Sequence, residues 1–150
     1  MLFRSVLGTD GKKMSKSYGN TINLSDAEPV VRQKLKTMVT DPARVKRTDK
    51  GNPDVCPVFE FHKIFSAPAT IAQIDRDCRT AAIGCIDCKK MVADVMVARM
   101  TPIWEGRATL NARPGQVEEI VRDGSARAAA VARQTLEEVN DAMNIGKGGL

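Results

Sequence analysis

Apolar residues recur at helical spacing along most of the chain, and the interruptions fall at glycine and proline. The first 24 residues lack such spacing. Gly8, Gly11 and Gly19 punctuate a stretch rich in Lys, Ser and Asn, which predicts a mobile loop. Ser25 offers an N-cap, Glu28 completes a capping-box pattern and Pro29 suits a first turn, so a helix is expected from here. Val30, Val31, Leu35 and Met38 supply its apolar stripe. Residues 40–55 lose the period: Asp41-Pro42, a basic run, then Gly51-Asn52-Pro53 read as a connector.

From Pro57 the pattern is helical. Phe59, Phe61, His62, Ile64 and Phe65 predict a short helix stopped at Ala67-Pro68, and Ile71 to Cys78 a second. A longer helix is expected from about Ile86 to Met100, ended or kinked at Thr101-Pro102, with a further turn or two over residues 103–111. Pro114 to Met143 place Val117, Ile120, Val121, Val131, Leu136, Val139 and Met143 on one side, with a break expected at Gly124. Met91, Val92, Val95, Met96 and Trp104 read as core, and His62 as a packed histidine. The expectation is a mainly α protein: a loop over residues 1–24, a helical domain over 25–145 and a flexible tail over 146–150.

Composition narrows the class. The 150 residues are 43% hydrophobic and 27% charged, which excludes global disorder, and aromatics at 4% favour helices packed on aliphatic ridges. No apolar run is long enough for a bilayer and no signal-peptide segment opens the chain, so the cytoplasm is the default compartment. The net charge is +5, and it is uneven: residues 1–50 hold eleven Lys/Arg against five Asp/Glu. A basic first third on a near-neutral body suits either a phosphate-handling surface or a plain solvated face.

Lys13-Met14-Ser15-Lys16-Ser17 is the sharpest short motif. Two lysines three apart, with hydroxyls between and beside them, make a cationic clamp suited to a pyrophosphate leaving group. Flanking glycines allow close backbone approach and loop closure. The motif resembles the KMSKS signature of class I aminoacyl-tRNA synthetases, and Gly8-Thr9-Asp10-Gly11-Lys12 with Tyr18-Gly19-Asn20 resemble the tryptophanyl branch. The resemblance implies ATP, with Mg2+, as substrate. Lys16 and Lys13 would act catalytically at the α-phosphate and pyrophosphate, and Lys13, Met14, Ser15, Lys16 and Ser17 would line ATP. The family's first signature, HIGH, is absent, since the one histidine, His62, follows KMSKS. The chain is therefore expected to carry only the end of a truncated Rossmann domain and to be inactive alone.

The four cysteines are Cys56, Cys78, Cys85 and Cys88, spaced C-x21-C-x6-C-x2-C. In a cytosolic chain such spacing reads first as metal-binding, with zinc, an iron–sulfur cluster and unligated thiols all open. A subset of bacterial tryptophanyl-tRNA synthetases carries a similar C-x22-C-x6-C-x2-C motif, and that resemblance implies a 4Fe–4S cluster, with Zn2+ as the alternative. This chain departs by one residue in the first gap. Arg79, Lys89 and Lys90 are expected to offset the thiolate charge.

Asp41-Pro42-Ala43-Arg44, Gly51-Asn52-Pro53 and the pattern from Val117 through Gly124, Ala128 and Thr135-Leu136 to Met143 also resemble the family's helical anticodon-binding domain. The resemblance implies tRNA(Trp) and tryptophan as partners in the full-length enzyme, and a homodimer. Arg44, Lys46, Arg47 and Lys50 are candidate tRNA contacts, with a plain basic connector as the alternative. Two rival functions remain at this level: a freestanding RNA-binding metal-cluster module without catalysis, and a tyrosyl-tRNA synthetase.

Overall fold

Proline sets where most of the helices begin. The residue before a proline is driven to extended backbone, and the proline's missing N–H costs nothing in a first turn. The computed structural model, which describes residues 6–145, shows this rule in α2 (Pro57–Phe65), α3 (Pro68–Arg79) and α5 (Pro114–Ala142), while α1 (Glu28–Thr37) carries Pro29 at its second position. The fifth helix, α4 (Cys85–Asn111), starts after Gly84. The predicted tail at 146–150 lies outside the described residues.

Three boundaries differ from expectation. Helix α1 begins at Glu28 with Ala27 in the cap position, so Ser25 does not cap it. The reason is a competing turn: the Asp26 carboxylate accepts the Asn23 backbone N–H at 2.9 Å and Lys34 Nζ at 2.6 Å. Helix α4 runs through Pro102. Pro102 deprives only Ala98 O of its helical donor, and Thr101 Oγ1 donates to the preceding carbonyl, Val97 O, at 2.9 Å. Helix α5 is unbroken at Gly124. A helical glycine costs only about 1 kcal/mol, and an Asp123–Arg127 ion pair spans that turn.

The chain divides into two compact units, Met1–Trp104 and Glu105–Leu150. In the first, Val31 and Leu35 of α1, Val58, Phe59 and Phe61 of α2, and Ile74 of α3 meet a ridge of α4. That ridge is Cys88, Val92, Met96 and Met100, each four residues on from the last, with half-buried Trp104 continuing it. Burying each such large side chain stabilises the fold by about 1.5–3 kcal/mol. Trp104 also donates from Nε1 to Leu24 O at 3.1 Å, tying the loop to α4. His62 is fully buried, with Nδ1 at 2.8 Å from Ser66 Oγ and Nε2 at 3.1 Å from Cys88 O.

In the second unit, α5 carries its predicted apolar stripe exposed: Val117, Ile120, Val121, Val131, Leu136, Val139 and Met143 are 43–67% accessible. Among the described residues there is no strand, only an isolated antiparallel bridge between Leu7 and Lys13. No helix among them is long and apolar enough to cross a membrane.

Candidate functional site

The bridge between Leu7 and Lys13 closes a tight loop whose hub is Asn20, only 3% exposed. Asn20 Oδ1 accepts the Ser15 N–H at 2.8 Å, and Nδ2 donates to Asp10 Oδ1 at 2.7 Å and Lys13 O at 3.1 Å. Its backbone oxygen takes the Thr9 N–H at 3.0 Å. Asp10 also accepts the Lys12 N–H, and these two bonds hold its carboxyl below the usual range. Gly8 is obligatory, because a Cβ there would lie 2.4 Å from the Asn20 side chain. Gly19, with φ +64°, ends the short turn Lys16–Tyr18 in the left-handed region that glycine favours.

The loop is thus braced from inside while its cations face outward. Lys13, Lys16 and Ser17 are exposed, Met14 packs on the core, and Ser15 Oγ lies 2.9 Å from Ser17 Oγ. Among the described residues neither lysine has an acidic partner within ion-pair distance. Two free ammonium groups beside two hydroxyls form an anion-binding rim. Asn20 was quoted in the sequence only as a flanking letter; a polar side chain that serves its own loop leaves no periodic signal.

The four cysteines come from three helix ends. Cys56 precedes α2, Cys78 lies in the last turn of α3, and Cys85 and Cys88 open α4. Cys56 and Cys88 are buried, Cys78 and Cys85 half-buried, and all four are free thiols. They share one electrostatic neighbourhood. Burial, followed by Cys56, Cys78 and Cys85, pushes the Cys88 thiol up to about 12. Burial likewise raises Cys78, against the nearby Arg44 charge. Yet among the described residues no group of three or more His, Cys, Asp or Glu is arranged to hold a metal ion.

Two further features belong to this neighbourhood. Gly51 is pinned by its N–H to Cys78 O at 3.0 Å, and a Cβ on it would meet Cys78 Sγ at 2.5 Å. Arg44, 9% exposed, sets Nη1 at 3.8 Å from Cys78 Sγ and donates from Nη2 to Ile83 O at 2.6 Å and Arg47 O at 3.2 Å. Its Nε is buried with no partner. Two of the three expected offsetting cations are engaged elsewhere, Arg79 with Asp54 and Asp75 and Lys89 with Lys36 O, while Lys90 lines a cleft between α1 and α4. Arg44 takes that place because Asp41, 6% exposed, fixes its turn by accepting the Ala43 and Asn52 N–H groups at 2.9 and 2.8 Å. His62 Nε2 lies 3.5 Å from Cys88 Sγ, and burial holds the imidazole below its usual range, partly opposed by Cys88 O.

The basic connector resolves into two kinds of residue. Arg44 and Arg47 spend their guanidinium groups on carbonyls, Arg47 reaching Ala81 O at 2.5 Å and Ala82 O at 2.9 Å. Lys46 and Lys50 stay exposed. Beside them, α1 and the start of α4 form an open cleft of about 290 Å³ lined by Arg32, Lys36, Ile86, Lys89, Lys90 and Ala93. The sequence keeps the α1 pair, Arg32 and Lys36, more than fifty positions from the α4 pair, Lys89 and Lys90, so only packing reveals the cluster.

Comparison with known proteins bears on both features. The family model for class I tRNA synthetases (W and Y) matches residues 1–101. A tryptophan–tRNA ligase of Thermotoga maritima is 45% identical over 92% of this chain and 42% of its own length. One from Deinococcus radiodurans is 44% identical over 89% of this chain and 41% of its own. The chain thus spans about two fifths of the length of these relatives. Campylobacter jejuni tryptophanyl-tRNA synthetase, solved with ADP and tryptophan, superposes with TM-score 0.80 over 94% of this chain and 44% of that one; at 24% identity this likeness concerns the fold. The Aeropyrum pernix tryptophanyl-tRNA synthetase gives TM-score 0.59 and 28% identity over 64% of this chain and 28% of that one. By sequence and by fold, the chain belongs to the class I tRNA synthetases of the W and Y group.

Proposed function

We propose that this chain is the C-terminal part of a tryptophan–tRNA ligase, supplying the ATP phosphate loop and a tRNA-binding helical domain. The observation that carries this is the Lys13–Ser17 loop, braced by Asn20 so that Lys13 and Lys16 stand exposed and unpaired. In the activation step the tryptophan carboxylate attacks the α-phosphorus of ATP and pyrophosphate leaves. Negative charge grows on the phosphate oxygens, where Lys16 and Lys13 stabilise it alongside Mg2+. Met14 and Ser15 line the nucleotide, with Ser17 completing the rim.

The tRNA surface is proposed at the cations left free by the fold. Lys46 and Lys50 qualify, and Lys36 and Lys90 of the α1–α4 cleft join them. Arg44 and Arg47 act instead as braces beneath that surface. A cytoplasmic homodimer completes the reading, on the family resemblance alone.

Cys56, Cys78, Cys85 and Cys88 are proposed to hold a 4Fe–4S cluster. The donor set fits: four thiols in one neighbourhood, an orphaned Arg44 N–H, and a cradle at Gly51 that a Cβ would fill. A cubane spans more space than a single ion, so its four thiolates need not meet as closely as a zinc ion requires. Such a group would supply cross-links among the ends of α2, α3 and α4, and it would draw the thiols to thiolates on binding.

The test is a chimera in which this chain replaces the matching part of the Thermotoga maritima ligase, assayed for amino-acid-dependent ATP–pyrophosphate exchange. Tryptophan-dependent exchange that falls about 10²–10³-fold in Lys16→Ala is expected. Tyrosine-dependent exchange would move the chain to the sister branch, and no exchange in a folded, tRNA-binding chimera would favour a non-catalytic RNA-binding module.

A further inference from the structure

We infer that Arg44 is the permanent positive charge of the four-cysteine site, a positioning residue that governs how firmly the site keeps its metal group. The inference rests on the proposed four-thiolate site. Four thiolates on a doubly charged core leave a net dianion, and a buried net charge is costly unless a cation faces it. Of the cations near the cysteines in sequence, Arg79 is held by Asp54 and Asp75, Lys89 by Lys36 O, and Lys90 lines the α1–α4 cleft; none of these contacts is to a cysteine sulfur.

Arg44 meets that need. Its Nη1 lies 3.8 Å from Cys78 Sγ, inside the range of a charge-assisted N–H to sulfur contact. Its planar head is fixed by Ile83 O at 2.6 Å and Arg47 O at 3.2 Å, so the charge cannot swing away to water. Its turn is fixed from below by Asp41. Three guanidinium nitrogens are available, and the fold satisfies two of them while leaving Nε buried without an acceptor. The missing side chain at Gly51 serves the same end, since its Cβ would crowd both Cys78 Sγ at 2.5 Å and Arg44 Cδ at 3.1 Å.

The experiment compares the wild-type chain, Arg44→Lys and Arg44→Gln, all purified without oxygen. Iron, acid-labile sulfide and zinc per chain come first, then the rate of metal loss to excess EDTA, with thermal melts of the metal-free chains as a control. Arg44→Gln is expected to lose its metal about tenfold faster than wild type, and Arg44→Lys to stay within about threefold, because lysine keeps the charge and loses the fork. For a bound iron–sulfur cluster, Arg44→Gln should also lower the midpoint potential; a tenfold shift of a one-electron equilibrium is about 59 mV. Unchanged retention in Arg44→Gln overturns the inference. Equal loss in both variants also overturns it, assigning Arg44 to bracing only. If Arg44→Gln does not fold, Arg44→Lys still decides, since fast loss there is incompatible with a charge role. A wild-type chain with no metal sinks the four-thiolate site itself, a failure separable from the others by the first measurement.

Discussion

Asn20 and Ser15 sit five residues apart, and Asn20 Oδ1 accepts the Ser15 backbone N–H at 2.8 Å. Through this bond the side chain that ends the loop sets the backbone of its central residue. Asn20→Ala removes three side-chain bonds at once and is expected to destabilise the chain by about 1–3 kcal/mol. Asn20→Asp should be no better, since a carboxylate cannot donate to Lys13 O and would face Asp10. Urea melts give the stability. Limited proteolysis should show cleavage rising between residues 8 and 20, and a loop as resistant as wild type would contradict the role of Asn20.

Two glycines of the loop should respond differently to alanine. At Gly8 the new Cβ meets Asn20 Cγ at 2.4 Å, so overpacking of about 1–3 kcal/mol is expected. At Gly19 nothing lies within 4 Å, and only the φ of +64° opposes the change, at about 1–2 kcal/mol. Gly8→Ala should therefore also disturb nucleotide binding in the chimera, read as a raised KM for ATP, while Gly19→Ala changes stability more than KM.

The Asp26–Lys34 pair predicts an acid limb to stability. Burial raises the Asp26 carboxyl, but Lys34 and the two Asn23 donors outweigh it, so its folded pKa lies below the ordinary 3.8. A group with a depressed folded pKa stabilises the fold above its unfolded value and loses that contribution as pH falls through the folded one. Asp26→Asn should thus flatten the stability profile below about pH 4 and lower the plateau above it. A double-mutant cycle with Lys34→Met, followed by thermal melts, checks the coupling.

His62 is a packing residue with two polar obligations. His62→Ala should cost about 2–5 kcal/mol from the cavity and unpaired groups together. His62→Phe restores volume but loses the bonds to Cys88 O and Ser66 Oγ, so it should still cost about 1–3 kcal/mol. Equal stability of the phenylalanine variant and wild type in urea would show that those bonds are dispensable.

Gly51→Ala tests the cysteine cradle without touching a thiol. Its Cβ would displace Cys78 Sγ, and iron or zinc per chain should fall at least severalfold while far-UV circular dichroism stays helical. Full metal content in that variant would mean Cys78 lies outside the site.

The helices, the phosphate loop and the four cysteines were legible along the chain because each is a local signal. Apolar spacing declares a helix, a proline declares its start, and Lys13 to Ser17 declare a motif within five residues. Local signals misled where a neighbour intervened. Ser25 reads as a cap, yet the Asp26 turn to Asn23 and Lys34 delays α1 by two residues. Pro102 reads as a stop, yet the helix passes through it. Gly124 reads as a break, yet α5 passes through it, and its one-sided apolar stripe stands exposed.

By itself, then, the sequence determined the helical class and the family motif, since these depend on neighbours a few positions away. Only the tertiary structure decided where each charge sits. Arg44 and Arg47 read as candidate RNA contacts or as a plain basic connector, and packing adds bonds to the Ile83, Ala81 and Ala82 carbonyls, more than thirty residues on. Lys36 and Lys90 gained a shared cleft only when α1 packed beside α4. A cation's role is set by the nearest acceptor in space, and chain spacing does not encode that distance.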